Sequence, residues 1–164
     1  QAKAQVGTIE SYQRAQAVVL LKDLEARMHS NEARIGEYVS GDEPLGVGSE
    51  DADCSGMSGP ELDKCEWGEA LKGAAELKGT QRMGAMLGAR GCIEEIEAVN
   101  ATDGACRAGV YQLTVAWQGM HATIAPSQAC GKDAYGAETS RRAISIRVAV
   151  GVPSCSPNAA TPAT

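Results

Sequence analysis

Residues 11–31 read SYQRAQAVVLLKDLEARMHSN, and the spacing of apolar side chains in this stretch decides how the rest of the chain must be arranged. Ala17, Leu20, Leu21, Leu24 and Met28 recur at intervals of three and four residues, and Ile9 and Gln13 carry the stripe backwards with weaker apolarity. That period is the mark of a helix with one face against a core. Arg14, Lys22, Asp23, Glu25 and Arg27 fall mostly off the stripe, and the run VVLL at 18–21 is more apolar than a solvated helix needs. Residues 2–30 contain no proline, one glycine and many strong helix formers, so one long helix is predicted over 1–31, with Asn31 and Gly36 as stop signals. Leu20, Leu21, Leu24 and Met28 are its expected packing residues.

Beyond the helix the composition shifts. Residues 36–60 hold six glycines among serines and acidic residues and read as a loop. Ser58-Gly59-Pro60-Glu61 then has serine and glutamate at capping-box spacing with proline near the first turn, so a short helix is predicted over 60–77. Trp67, Ala70, Leu71, Ala74 and Ala75 form its apolar stripe, placed to cover a sheet. The glycine-broken stretch 79–91 reads as irregular. From there the period changes from helical to two: Tyr111, Leu113, Val115 and Trp117 alternate along VYQLTVAW, as do Ile144, Ile146, Val148 and Val150 along AISIRVAV. A weaker strand is expected at 92–99, joined to the next by the turn sequence 100–104, and a fourth short strand at 120–124. Long helix, loop, short helix and antiparallel sheet make an α+β architecture. It is read as one domain over 1–155, its sheet region spanning 92–155, followed by a low-complexity tail at 156–164.

The chain has 164 residues and a net charge of −6, with no block of basic residues, so the phosphate backbone of a nucleic acid is an unsuitable partner. Aromatic residues make up 4% and phenylalanine is absent, which throws the burden of core packing on a few large rings: Trp67, Trp117 and Tyr111 are the expected anchors. Six cysteines, at 54, 65, 92, 106, 130 and 155, include no Cys-x-x-Cys pair, which points to disulfides in an oxidising compartment. Of the connectivities they allow, the sequential one, Cys54–Cys65, Cys92–Cys106 and Cys130–Cys155, is favoured because each pair brackets a turn or loop.

Chemistry is sparse. His29 and His121 are the only histidines and lie in different predicted elements, with no local nucleophile or carboxylate to complete a catalytic pair. The acidic residues Glu50, Asp51 and Asp53 offer oxygen ligands but lack the spacing of a calcium-binding loop, and no glycine motif cradles a phosphate. Arg141-Arg142 reads as an exposed, charged strand entrance. No catalytic residue, metal ligand or cofactor is expected, and the chain is read as a non-enzyme.

What remains distinctive is a pattern of segments. Residues 12–31, an Ala/Leu-rich helix ending in Asp23-x-x-x-Arg27-Met28-x-x-Asn31, resemble the helix ending of the PilV-type minor pilins of type IV pili. The strand YQLTVAWQG at 111–119 is similar to that family's central Y-x-V-T-V-x-W-x-G strand, Arg141-Arg142 resembles the start of its penultimate strand, and Cys65-Glu66-Trp67 is a looser match to its short helix. The resemblance implies a pilin-like fold and a non-enzymatic role in priming pilus assembly and in a tip complex, with adhesion and twitching motility downstream. The implied partners are other minor pilins, the major pilin and a PilY-type tip adhesin. It also implies an apolar membrane-spanning segment ahead of Gln1, with the head in the periplasm before assembly and at the cell surface in the pilus afterwards. A minor pseudopilin of a type II secretion system has the same architecture, and a secreted calcium-dependent binding module is the alternative from another class.

Overall fold

Helix α1 spans Ala2–Ser30, and at 1.5 Å per residue it is about 43 Å long. The computed structural model describes residues 2–75, 86–102 and 106–151. Ala17, Leu21, Leu24 and Met28 on α1 are fully buried, Leu20 is half-buried and Gln13 is 2% exposed, so the three-and-four spacing faces inward from residue 13 onward. The helix stops at Ser30. Asn31 follows it, and its side-chain amide donates to the Arg27 carbonyl, to Tyr38 Oη and to Asp63. A 3-10 segment, Glu32–Tyr38, carries the chain over the end of the helix.

The sheet has four strands in the order β1 (Leu45–Gly46), β2 (Leu87–Glu97), β3 (Gly109–Gln118) and β4 (Arg141–Val150), every neighbouring pair antiparallel. Helix α2, Gly59–Ala75, packs on β1 and β2, while α1 packs on α2, β3 and β4. The molecule is therefore α+β, with an N-terminal helix laid on a four-stranded antiparallel sheet and two disulfides among the described residues.

Several expectations are corrected. The fourth strand is β1, inside the 36–60 loop, and residues 120–124 form no strand. Strand β2 begins at Leu87, inside the stretch read as irregular, because the last two glycines of that stretch serve the strand. Gly88 has φ +64° where the register with β3 shifts between Leu87 and Arg90, and Gly91 gives the Trp67 ring room to lie against the backbone. Ala70, placed on the buried stripe of α2, is exposed, whereas Trp67 and Leu71 are fully buried. Residues 103–104 of the 100–104 turn, 76–77 of the short helix, 79–85 of the stretch read as irregular, Cys155 and the tail 156–164 lie outside the described residues.

A Cβ on Gly91 would stand 2.2 Å from the Trp67 ring and 2.8 Å from Leu71. Gly91→Ala is expected to destabilise the protein by about 1–3 kcal/mol through overpacking, read as a lower urea midpoint with an unchanged slope.

The disulfides are Cys54–Cys65 and Cys92–Cys130, so the sequential pairings Cys92–Cys106 and Cys130–Cys155 are both overturned. Cys106 is itself disulfide-bonded. The reason for Cys92–Cys130 is layering. Cys92 lies on the sheet face away from the helices, where the segment after β3 folds back as a cover, and Cys130, Tyr135 and Ala116 pack with it there. Strand β3 is consequently buried on both faces from Leu113 to Trp117, where its alternation had suggested a half-buried strand. Closing the 38-residue separation contributes about 4 kcal/mol in the chain-entropy account, and the 11-residue Cys54–Cys65 separation about 3 kcal/mol.

Candidate functional site

The covering segment, residues 119–140, is pinned by the two arginines that begin β4. Arg141 is 2% exposed and donates to the carbonyls of Gln128, Cys130 and Pro126 while forking onto both oxygens of Glu138 at 2.9 and 2.8 Å. Arg142, 3% exposed, reaches the other way: it donates to the Thr139 and His121 carbonyls and to Glu10 of α1 at 3.0 Å. The reading of these residues as an exposed charged entrance is overturned. They are internal staples, each held by backbone oxygens and one carboxylate, although Arg142 Nε is buried without a hydrogen-bond partner.

Glu10 gathers three groups, accepting from Arg142, from the Met120 amide at 3.2 Å and lying 3.4 Å from His121 Nδ1. Burial pushes its carboxyl up, but the Arg142 hydrogen bond and charge, the Met120 amide and His121 outweigh this, so it titrates below the usual carboxylate range. His29 sits at the other end of α1 with its Nδ1 3.1 Å from Glu32. The two histidines are not brought together, and each faces a single carboxylate.

The acidic loop is also occupied from within. Lys72, buried on α2, places its ammonium 2.8 Å from the Glu50 carbonyl, 3.0 Å from Asp51 and 3.1 Å from Glu69. A protein cation thus stands among the oxygens that a calcium module would use, while Asp53 turns to cap the Ser55 amide at 2.9 Å. Among the described residues no cluster of His, Cys, Asp or Glu is arranged to hold a metal ion.

The surface feature that sequence reading missed lies on the outward side of α1. Tyr12 is 54% exposed, Val18 40% and Val19 68%, and Ala15 between them is exposed as well. Tyr12, Ala15 and Val19 follow three- and four-residue steps, so over this stretch the helix carries a second apolar stripe opposite the one in the core. Above it the outward face turns charged: Lys22 pairs with Glu25 and Asp23 with Arg27. Below it, residues 3–8 are exposed apart from the half-buried Val6, with His121 of the covering segment beside Lys3, Val6 and Gly7. The run VVLL held the signal: Val18 and Val19 point outward while Leu20 and Leu21 point in. No described helix is long and apolar enough to cross a membrane. Compared with protein-family models, curated proteins and solved structures, the chain matches none.

Proposed function

We propose that this chain is the head of a minor pilin, acting without catalysis to prime type IV pilus assembly and to sit in a tip complex with other minor pilins. One observation carries the reading: α1 is apolar on two opposite faces, its inner stripe seated on the sheet and its outer stripe, Tyr12, Ala15, Val18 and Val19, left exposed. A helix that serves only its own domain needs one apolar face. Two such faces suit a helix that holds its own head on one side and neighbouring helices on the other. The motifs in residues 12–31, 111–119 and 141–142 support the same reading, and the disulfides suit an exported head. The reading carries with it an apolar membrane segment ahead of Gln1, an inner-membrane stage and a later place at the cell surface.

The test is a pull-down from a piliated bacterium with the full-length protein, leader and membrane helix included. Minor pilins, the major pilin and a large tip adhesin are expected in the eluate, and Val19→Glu is expected to reduce their recovery without lowering the thermal midpoint of the head. Recovery of type II secretion pseudopilins instead, or of neither set, would overturn the proposal.

A further inference from the structure

On the sheet face turned away from the helices, β2 and the covering segment enclose a cleft of about 400 Å³, within the range of small-ligand sites. Arg90, Cys92 and Glu94 line one wall at the two-residue period of a strand, Ala129–Lys132 and Ala134 line the other, and Gly41, Asp42 and Pro44 close the end. The Cys92–Cys130 disulfide ties the two walls together, so the cleft is preformed.

Four charged side chains meet there, and they do not neutralise one another. Arg90 lies over the Tyr135 ring at 4.9 Å, donates from Nη1 to the Gly88 carbonyl and is hydrogen-bonded to Tyr135 as well, which still leaves part of its fork of five N–H groups unspent. Tyr135 is in turn fixed by donation to the Gly88 carbonyl at 2.7 Å and shared with that of Ala116 at 3.1 Å. Among the described residues the side chains of Lys132, Asp42 and Glu94 form no hydrogen bond and no close ion pair, although the Lys132 charge is felt by Glu138. A held guanidinium with spare donors suits a carboxylate, and two free carboxylates across the same space suit hydroxyl donors.

We infer that this cleft binds an acidic sugar residue, with the ligand carboxylate on Arg90 and Lys132 and its hydroxyls donating to Asp42 and Glu94. The site would give the head a contact with acidic polysaccharide. It is independent of the apolar stripe on α1, so it can fail while the pilin proposal stands, and the reverse.

Amide chemical shifts of the isotope-labelled protein, titrated with glucuronate, glucose, glutamate and sodium chloride, test the assignment. Saturable shifts at Gly41, Cys92, Gly131 and Lys132 are expected with glucuronate, with a dissociation constant on the order of 1 mM, and not with the other three. Arg90→Lys keeps the charge and loses the fork, and is expected to weaken binding about tenfold. Lys132→Ala, at an exposed position that cannot disturb folding, is expected to weaken it severalfold. No saturation with glucuronate, or an equal response to glucose or chloride, overturns the inference. A stronger response to glutamate than to glucuronate overturns the sugar assignment, and unchanged affinity in both variants removes these residues from the site.

Discussion

Glu10→Ala is expected to destabilise the protein by about 3 kcal/mol, one of the two largest single-residue effects in the molecule. The loss arises less from the glutamate itself, whose side chain is 15% exposed, than from what it leaves behind: the Arg142 guanidinium, 2% exposed as a side chain, stripped of its one anionic partner among the described residues. Two carbonyls, of Thr139 and His121, would still receive hydrogen bonds from it, which places the cost at the low end for a broken buried pair. The Met120 amide would lose its acceptor as well. A Glu10→Met/Arg142→Met double replacement removes both charges, and is expected to be less destabilising than the sum of its single substitutions. Chemical denaturation of all four proteins gives the coupling, and strict additivity would mean the pair does not act as a unit.

The pair also has a pH signature. The native carboxyl of Glu10 titrates below its unfolded value, so its contribution is fully present above the ordinary carboxylate range and is lost as pH falls through the lowered native value. The stability difference between the native sequence and Glu10→Gln should therefore shrink on acidification and be level through neutral pH.

Trp67→Ala is the second, with an expected cost of about 4 kcal/mol. Trp67 is fully buried on α2, its indole N–H donates to the Leu20 carbonyl of α1 at 2.9 Å, and its ring lies against Gly91 of β2. One side chain therefore joins both helices and the sheet, in a chain with no phenylalanine to fill the space. Trp67→Phe keeps much of the ring and gives up the hydrogen bond, so it is expected to cost about 1–2 kcal/mol. If alanine and phenylalanine cost the same, the hydrogen bond rather than the ring holds the layers.

What could be read from the sequence followed from periodicity. The three-and-four spacing from Ala17 to Met28 and the alternation from Tyr111 to Trp117 both report a face packed on a core, and those faces are where the helix and sheet meet. The cover on the other sheet face has no period. Residues 119–140 are held by main-chain carbonyls bonded to Arg141 and Arg142, and no pattern of side-chain types announces such bonds. For the same reason those two arginines read as surface residues, and Cys92 could not be matched to Cys130 before the cover was known. Lys72 is a parallel case. Two of its three partners lie about twenty residues upstream in a loop whose acidity is visible in the sequence, while the cation that enters it is not.

The Cys92–Cys130 bond has a mechanical consequence. Tension applied along the chain would meet a covalent tie between these two positions, 38 residues apart in sequence. At roughly 3.4 Å per extended residue, about 130 Å of chain cannot be paid out while the bond is intact. The hairpin of β2 and β3, which forms the centre of the sheet, lies largely within that length and is closed at its base by the bond.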